Sequence, residues 1–262
     1  MTIILLIGVF LLATIAYFKK KLTWSGAIAA CFVGGFISIG FGLYGLLLLG
    51  MFFLSSTILG SLKDHNKESD IVEKGGHRDA IQVLANGGMA SLLSLIYLIY
   101  PSPYLICGFV ASLAAANSDT WASEIGPYSK YRPFHIIKRE RVEVGTSGAI
   151  TALGSSAAFA GSFLIVVLSI FFWWGDHYNS HILLIVLTLA GFIGNVVDTV
   201  LGAIWQVVYR CPSCSTETER KTHCSVKTVR VSGRGWVDND IVNAGCTLIA
   251  ALLGILIGWL FV

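Results

Sequence analysis

The chain has 262 residues, of which 55% are hydrophobic and only 13% are charged, and its formal net charge is +3. Soluble globular domains carry about a quarter of charged residues, so this composition excludes an ordinary soluble domain. The mean hydropathy of +0.75 indicates an integral membrane protein whose main partner is the lipid bilayer. Nucleic acid is not an expected partner.

Apolar runs of membrane-spanning length recur along the whole chain. A spanning helix needs roughly 20 mostly apolar residues. Eight segments qualify: residues 3–18, 24–41, 45–61, 80–100, 104–122, 145–173, 182–207 and 241–262. The sixth is long for one span, so we expect it to be tilted or to extend past the membrane. The first has neither a preceding basic region nor a cleavage site, which favours a retained span over a signal peptide. The sequence predicts an all-α, polytopic bundle that forms one domain, residues 1–262.

Basic residues occur only in alternate connections between these spans. All 18 lysines and arginines lie within residues 19–21, 63–78, 130–141 and 210–234, whereas "FGLY", "PSP" and "GDHYNSH" contain none. Basic residues near span ends are retained in the cytoplasm. This pattern predicts that both termini lie on the non-cytoplasmic side. The expected location is the cell membrane, if the protein is bacterial, with the active site facing the cytoplasm.

Short echoes in the sequence favour an internal duplication. Ser55–Lys63, Asn117–Gly126 and Asn195–Gln206 each place a threonine after Ser or Asp at the cytoplasmic end of a span. A second echo, "SGAIAA" (Ser25–Ala30) and "SGAITA" (Ser147–Ala152), opens two other spans. Repeats with a site at their interface are common in membrane proteins. Small residues are also what helix packing in lipid prefers, so the echoes have a second explanation.

Apart from Asp238 and Asp240 at the mouth of the eighth span, three carboxylates lie inside or flush with predicted spans: Asp119, Glu124 and Asp198. Ionisable groups at such positions are costly unless they are paired, hydrated or bound to a cation, which favours a functional role. On an ideal helix Asp119 and Glu124 lie about 140° apart, so they converge only if the helix end unwinds near Gly126 and Pro127. The alternative is that the three carboxylates cap helices or pair with loop arginines.

Polar and basic residues surround these carboxylates on the same predicted face. Mg²⁺ typically binds one or two carboxylates together with substrate phosphates, which predicts a magnesium site of Asp119, Asp198 and Glu124. A bound proton or sodium ion would satisfy the same carboxylates. The candidates for binding phosphate and substrate are Arg78, Gln82, Asn86, Lys138, Arg139, Arg141, Asn239 and Asn243.

The "GTSG" run, Gly145–Gly148, is expected to open the sixth span. Its members Gly145, Thr146, Ser147 and Gly148 would then offer backbone N–H groups and a helix dipole to an anion. An ordinary N-cap is the alternative. The run is not a Walker A loop, because no Gly-Lys-Ser/Thr follows.

The motifs "NSDTWASEIG", "GTSGAIT", "NVVDTVLGAIWQ" and "DNDIVNA", with the segment "KGGHRDAIQVLANGG", resemble the membrane family that contains phytyl-phosphate kinase and transmembrane protein 19. The resemblance implies a kinase that transfers a phosphoryl group from CTP or another nucleoside triphosphate to a prenyl- or phytyl-type monophosphate, giving the diphosphate. It also implies catalytic roles for Asp119, Glu124 and Asp198. Asp119 and Asp198 would hold Mg²⁺, and Glu124 would be a second ligand or orient the acceptor.

Three other functions are compatible with the sequence. A transporter or flippase of an anionic lipid or ion would explain the repeat-like organisation and the intramembrane acids, but the outer halves of the spans contain almost no ionisable residues. A scaffold protein would leave Asp119 and Asp198 unexplained. A related enzyme such as a cytidylyltransferase is the third alternative.

The largest polar segment, residues 208–238, is predicted to be a cytoplasmic insertion rich in cysteine. Its stretch "CPSCSTETERKTHC" supplies four zinc-type ligands, Cys211, Cys214, His223 and Cys224. Adjacent histidine and cysteine rarely bind the same ion, so reduced, solvated thiols are the alternative. A bound Zn²⁺ would fold the insertion near the site.

Overall fold

The structure, a computed structural model, describes residues 2–62 and 77–262. Lys63, Lys67 and Lys74, which contribute to the charge pattern, lie outside the described residues. The described chain contains eight α-helices: α1 (Thr2–Phe18), α2 (Trp24–Gly40), α3 (Gly42–Leu62), α4 (Ala80–Ile99), α5 (Pro103–Ile125), α6 (Ala152–Ser169), α7 (Ser180–Trp205) and α8 (Asn239–Phe261). The predicted all-α helical bundle is confirmed.

Short strands occur only in the connections between helices. They are β1 (Phe134–His135), β2 (Ala149–Ile150), β3 (Val208–Arg210), β4 (Glu217–Thr218), β5 (Thr222–His223), β6 (Val226–Lys227) and β7 (Val229–Ser232). They form three small antiparallel sheets, with orders β1–β2, β4–β3–β7 and β5–β6. Two of these sheets fold the insertion between α7 and α8.

Most of the described helices have the length and apolar surface of membrane spans. Five of them, namely α3, α4, α6 with the π-helical turn that follows it, α7 and α8, are long and apolar enough to cross a membrane. α1 and α2 are apolar but shorter, with 17 residues each, or about 25 Å at the rise of an α-helix. Large apolar side chains such as Phe10, Phe32 and Leu47 cover the outside of the bundle. Such a surface suits lipid rather than water.

α5 runs through the centre of the bundle and contacts α3, α4, α6, α7 and α8. Every residue from Ile106 to Ser118 is buried. Small residues permit this close packing: a Cβ added to Gly254 would lie 2.5 Å from the carbonyl oxygen of Cys107. Small residues at helix interfaces let backbones approach closely in lipid. A polar side chain on this part of α5 therefore lies inside the protein, not against lipid.

The two ends of the bundle differ in chemistry. At the end that we call the aromatic end, Phe41, Tyr97, Phe109 and Trp173 pack together, with 4.4 Å between the ring centroids of Phe41 and Phe109. At the opposite end, the polar end, lie the connections that carry the described lysines and arginines. There the backbone N–H of Thr23 donates to the carbonyl oxygen of Arg78 at 3.0 Å, which joins two of these connections.

The sixth helix begins later than predicted. α6 starts at Ala152, and the hydroxyl of Thr151 caps it by accepting from the backbone N–H of Gly154 at 2.9 Å. Gly145 and Gly148 have φ angles of 94° and 77°, which the right-handed helix does not allow. The prediction that "GTSG" opens a span is therefore wrong. Ser25–Ala30 lies at the start of α2, whereas its echo, Ser147–Ala152, covers a turn, strand β2 and the first residue of α6.

Candidate functional site

Asp119 of α5 and Asp198 of α7 meet at the polar end, and we call them the acidic pair. Their carboxyl groups lie within hydrogen-bonding reach of each other. The side-chain amide of Asn195 donates to Asp119 Oδ1 at 3.1 Å. Asp198 Oδ1 is buried, and no described residue donates a hydrogen bond to it.

Helix packing one turn away brings the acidic pair together. A Cβ added to Gly194 of α7 would lie 2.5 Å from the Cβ of Ala115 on α5, so the two backbones are in close contact there. Asp119 follows Ala115 by four residues, and Asp198 follows Gly194 by four. Because residues four apart share a helix face, contact at the glycine makes the two carboxylates face each other.

Two carboxylates in contact inside a protein are not stable as bare anions. Their mutual repulsion and the loss of water favour either a shared proton or a bound cation. Cys246 of α8 lies close enough to interact with both carboxylates, and it is buried. The acidic pair, enclosed by α5, α7 and α8, therefore has the chemistry to hold a positive charge.

Glu124 lies apart from the acidic pair. α5 stays helical through Ile125, and the N–H of Gly126 still donates to the carbonyl oxygen of Ala122. The unwinding needed for Glu124 to join Asp119 does not occur. Glu124 instead faces α3, where a Cβ added to Gly60 would lie 3.7 Å from its Oε1. It also interacts electrostatically with Arg78, as in the arginine-paired alternative.

Both the backbone and the side chain of Arg78 make contacts that hold it in place. Its backbone pairs with that of Leu22, and its guanidinium lies 5.5 Å from the centroid of the Phe53 ring. Partial burial lowers the pKa of Arg78, and the charge of Glu124 opposes this shift. Arg78 and Glu124 thus form a second polar site at the same end of the bundle.

Gln82, one of the predicted substrate-binding residues, helps to start α4. The Asp79 carboxylate accepts from the backbone N–H of Gln82 at 2.9 Å, and Gln82 Oε1 accepts from the N–H of Asp79 at 3.1 Å. This is a capping box. The side-chain amide of Asn86 donates to the carbonyl oxygen of Gln82 at 3.0 Å. Substrate binding by Gln82 and Asn86 stays a prediction.

At the start of α8, the buried polar pair is not the expected one. Asn239 is exposed, whereas Asn243 is buried and its Oδ1 receives no hydrogen bond from the described residues. Asp240, three residues before Asn243, is only 3% exposed. Sequence reasoning set Asp240 aside because it lies at the mouth of the span. The three-residue spacing of Asp240 and Asn243 places both on one helix face, and this spacing could have predicted that they are buried together.

Three predicted phosphate-binding residues, Lys138, Thr146 and Ser147, line one cavity of about 170 Å³ at the end of α7. Lys138 Nζ lies 3.4 Å from a carboxylate oxygen of Glu217. The Ser147 hydroxyl donates to Gln206 Oε1 at 2.7 Å. The cavity therefore combines a cation, a hydroxyl group and an amide close to the acidic pair.

Gly148 of "GTSG" packs the loop against α7 near this cavity, and the run does not start α6. A Cβ added to Gly148 would lie 2.3 Å from the Cβ of Ala203 on α7. The loop thus packs on the C-terminal end of α7, one turn beyond Asp198. Arg139 and Arg141 are exposed, and Arg141 Nη1 donates to the carbonyl oxygen of Arg132 at 2.7 Å. These two arginines are outside the cavity.

Glu219 is a buried carboxylate that sequence reasoning missed. It is 9% exposed, and the Gln206 side-chain amide donates to its Oε1 at 2.7 Å. It also interacts electrostatically with Asp198. Hydrogen bonds therefore connect Ser147, Gln206 and Glu219 beside the acidic pair. No local signal marks Glu219, since its position depends on how the insertion folds back on α7.

His135 supports the cavity from the loop. It is buried, and its Nδ1 accepts from the backbone N–H groups of Ile137 and Lys138, each at 3.2 Å. Burial lowers the pKa of His135, and the positive charge of Lys138 lowers it further. The neutral imidazole is thus the form that this loop requires.

The structure gathers Cys211, Cys214, His223 and Cys224 at the outer part of the insertion. Their four ligand atoms all lie within 4.8 Å of one another. Hydrogen bonds with the hydroxyl and backbone N–H of Thr216 lower the pKa of Cys214 to about 6. This group, the cysteine cluster, is separate from the acidic pair.

Comparison with known proteins identifies the family. The family model described as "Integral membrane protein DUF92" matches residues 7–251. The chain belongs to this family. It is 33% identical to Protein PGR of Arabidopsis thaliana over 93% of this chain and 91% of that protein. An uncharacterized membrane protein of Methanocaldococcus jannaschii is 30% identical, with 97% and 94% covered.

A further relative is "Protein VTE6, chloroplastic" of Arabidopsis thaliana. It is 27% identical over 90% of this chain and 65% of its own length. No solved structure matches the chain significantly. Membership in an integral membrane family agrees with the apolar helices, so the protein is an integral membrane protein.

Proposed function

We propose that this protein is a membrane kinase that transfers the terminal phosphoryl group of a nucleoside triphosphate to an isoprenoid monophosphate at the cytoplasmic face. The observation that carries the proposal is the acidic pair, with one buried carboxylate oxygen that no described residue satisfies. The proposed substrate class comes from the resemblance of the sequence motifs to the family that contains phytyl-phosphate kinase, and membership in an integral membrane family is consistent with a lipid substrate.

The acidic pair fits a hard divalent cation. Oxygen ligands from carboxylates suit Mg²⁺, and a cation would neutralise the two charges that face each other. Asp119 and Asp198 would hold it, and Asn195 would orient Asp119. When bound, Mg²⁺ would offset the negative charge of the phosphates during transfer.

The cavity beside the acidic pair would bind phosphate oxygens. Lys138 supplies the positive charge, while Ser147 and Thr146 supply hydroxyl groups. In the reaction, an oxygen of the prenyl monophosphate forms a bond to the terminal phosphorus as the bond to the departing nucleoside diphosphate breaks. A phosphate monoester is already largely ionised, so positioning and charge neutralisation provide most of the catalysis.

The membrane setting fits a lipid acceptor. The prenyl tail would lie against the apolar outside of the bundle, while the phosphate reaches the polar end, where the triphosphate also has access. The transporter alternative needs a polar path to the aromatic end. Within the described helices, however, aspartate and glutamate occur only at the polar end, as Asp119, Glu124, Asp198 and Asp240, and lysine and arginine do not occur.

The direct test is phosphoryl transfer by the purified chain in lipid. Protein, Mg²⁺, a panel of prenyl monophosphates and a labelled nucleoside triphosphate should yield the labelled prenyl diphosphate. Asp119→Asn should reduce the rate by roughly a thousandfold, as expected when a group that neutralises phosphoryl charge is lost. The matched control is Asp176→Asn, an exposed carboxylate at the aromatic end, which should retain full activity.

A wild-type protein that transfers no phosphoryl group to any acceptor would contradict the proposal. Movement of the lipid phosphate across sealed vesicles by the same preparation would establish the transporter. Equal losses in Asp119→Asn and Asp176→Asn would remove the acidic pair from the mechanism.

A further inference from the structure

The cysteine cluster has the dimensions of a tetrahedral metal site. His223 Nδ1 lies 3.4 Å from Cys214 Sγ and 3.3 Å from Cys224 Sγ, and the two sulfurs are 3.7 Å apart. In a tetrahedral zinc centre, Zn–S bonds near 2.3 Å and Zn–N bonds near 2.0 Å place neighbouring ligand atoms roughly 3.5–3.8 Å apart. We propose that Cys211, Cys214, His223 and Cys224 bind one Zn²⁺ ion. The proposal is independent of the kinase activity.

The first half of the site is held by the chain that follows β3. Backbone N–H groups of Ser213 and Cys214 donate to the sulfur of Cys211, and that of Thr216 donates to the sulfur of Cys214. Such outer hydrogen bonds orient metal-binding thiolates and stabilise their negative charge. Cys211 is fully buried. The Cys-x-x-Cys segment is thus already folded as a pair of ligands.

The second half of the site is a strained hairpin turn. Cys224 and Ser225 connect β5 to β6, with φ angles of 49° and 59°. Two-residue hairpin turns with two positive φ angles normally contain Asn-Gly, because other residues fit poorly. Left-handed conformations of non-glycine residues are unfavourable and persist only where other interactions hold them. Metal ligation by Cys224 is such an interaction.

The turn also explains how adjacent residues can bind one ion. Extended chain would point His223 and Cys224 to opposite faces of the strand. Because the chain reverses at Cys224, both side chains face Cys214 instead. Adjacency in the sequence therefore does not prevent His223 and Cys224 from binding the same ion.

Sulfur and nitrogen ligands in tetrahedral array select a soft or borderline ion, not Mg²⁺ or Ca²⁺. A disulfide does not explain the arrangement, since the 3.7 Å between the sulfurs of Cys214 and Cys224 far exceeds a bond of about 2.05 Å. A disulfide between Cys214 and Cys224 would also not explain why His223 and Cys211 lie beside them.

The zinc ion would close the insertion around Glu219. The two ligand pairs lie on either side of Glu219 in the chain, and Glu219 is bonded to Gln206 at the end of α7. Tying β3 to the β5–β6 hairpin fixes the segment between them. The metal would therefore hold a buried carboxylate in place next to Asp198 without touching substrate.

The test is the metal content and ligand field of the full chain, purified in detergent without chelators. Elemental analysis should give one zinc ion per chain for the wild type. Replacement by Co²⁺ should produce the sulfur-to-metal charge-transfer and visible bands of a tetrahedral thiolate site. Cys214→Ser should lose most of the zinc and shift the cobalt spectrum. Cys31→Ser, which changes a cysteine in α2, should keep both.

Chelation of the intact wild type provides a second readout if the cysteine variants fail to fold. Removing zinc should increase hydrogen exchange in residues 208–232 and leave the helices protected. The proposal would be overturned if the wild-type protein contained no zinc and took up no Co²⁺. It would also be overturned if elemental analysis found iron instead of zinc. A disulfide between cluster cysteines found by mass spectrometry, or equal zinc loss in Cys31→Ser, would also overturn it.

Discussion

The acidic pair and the cysteine cluster both bring together side chains that favour a bound cation, but the fold assembles them in opposite ways. Asp119 and Asp198 come from helices far apart in the sequence and meet because α5 and α7 pack closely. The cysteine cluster is made by two turns of a single short insertion. Buried helix packing therefore controls the first site, and local chain geometry controls the second. Perturbations of the acidic pair should therefore leave zinc binding unchanged.

Asp198→Asn should have the largest effect on the acidic pair. A ligand that binds only the folded state stabilises it by about 2.7 kcal/mol at a concentration of 100 times its Kd. We expect the wild type to gain this stability from Mg²⁺ in thermal unfolding, and Asp198→Asn to lose the gain. Its stability without Mg²⁺ should not fall, because the substitution removes a carboxylate that faces another.

Glu124→Gln is the comparison variant for this measurement. Glu124 faces Gly60 and Arg78 instead of the acidic pair, so the variant should keep the stabilisation by Mg²⁺ even if its unfolding midpoint is lower. Loss of the Mg²⁺ effect in Glu124→Gln, or its survival in Asp198→Asn, would contradict the placement of the cation.

Gly194→Ala should disturb the acidic pair through packing alone. Its Cβ would lie 2.5 Å from that of Ala115, and overpacking of this kind costs typically 1–3 kcal/mol. We expect lower thermal stability and a weaker Mg²⁺ effect, since α5 and α7 must move apart. Zinc content should stay at the wild-type level because the cysteine cluster does not depend on this contact.

Gly8→Ala in α1 is the matched control, because nothing lies within 4 Å of its added Cβ. It should behave as the wild type in both measurements. A Gly194→Ala variant with normal Mg²⁺ stabilisation would show that the acidic pair does not need the close approach of the two helices.

The same contrast explains what the sequence could predict. Apolar length and charge distribution were enough for the helical bundle and for the gathering of the connections at one end. The Cys-x-x-Cys spacing was enough to nominate all four residues of the cysteine cluster. Carboxylate chemistry nominated Asp119, Asp198 and Glu124 together, and only the resemblance to a known family singled out Asp119 and Asp198, because nothing near either residue records which helices touch.

The errors have related physical causes. "GTSG" has the composition of a helix start, but its two glycines adopt left-handed backbone conformations and α6 begins at Ala152. Glu124 was grouped with Asp119 on the condition that the helix end unwinds near Gly126 and Pro127, but α5 is unbroken through Ile125. Glu219 was missed because its burial depends on the fold of the whole insertion.

Glu219 connects the two regions, and its substitution should have an intermediate effect. Glu219→Gln keeps the shape of the side chain and removes a negative charge that interacts with Asp198. Removing this negative charge near Asp198 should weaken cation binding. Loss of a group that supports a metal ligand lowers metal affinity by roughly tenfold. Titration of the unfolding midpoint with Mg²⁺ measures this change. Zinc content should be unaffected.

The matched control is Glu217→Gln, two residues earlier. Glu217 pairs with Lys138 and Arg210 near the surface, so its loss should leave the apparent Mg²⁺ affinity unchanged. Equal effects of the two variants would mean that long-range charge, not the buried position of Glu219, influences the acidic pair.

The smallest effect should be a pH dependence in the loop between α5 and α6. Burial lowers the pKa of His135 in the folded state, so folding favours the neutral ring. The associated stability is fully present above the unfolded pKa of about 6.5 and is lost as the pH falls through the lowered folded value. Hydrogen exchange of residues 129–148, corrected for its intrinsic pH dependence, should therefore increase in mild acid.

His135→Asn isolates this contribution. An asparagine oxygen can accept from the N–H groups of Ile137 and Lys138, as His135 Nδ1 does, but it does not titrate in this range. The variant should show loop protection that is independent of pH, whereas the wild type loses protection in acid. If both lose it equally, then another group controls the loop. In that case the hydrogen bond from the Ser147 hydroxyl to Gln206 Oε1 would not depend on the protonation state of His135.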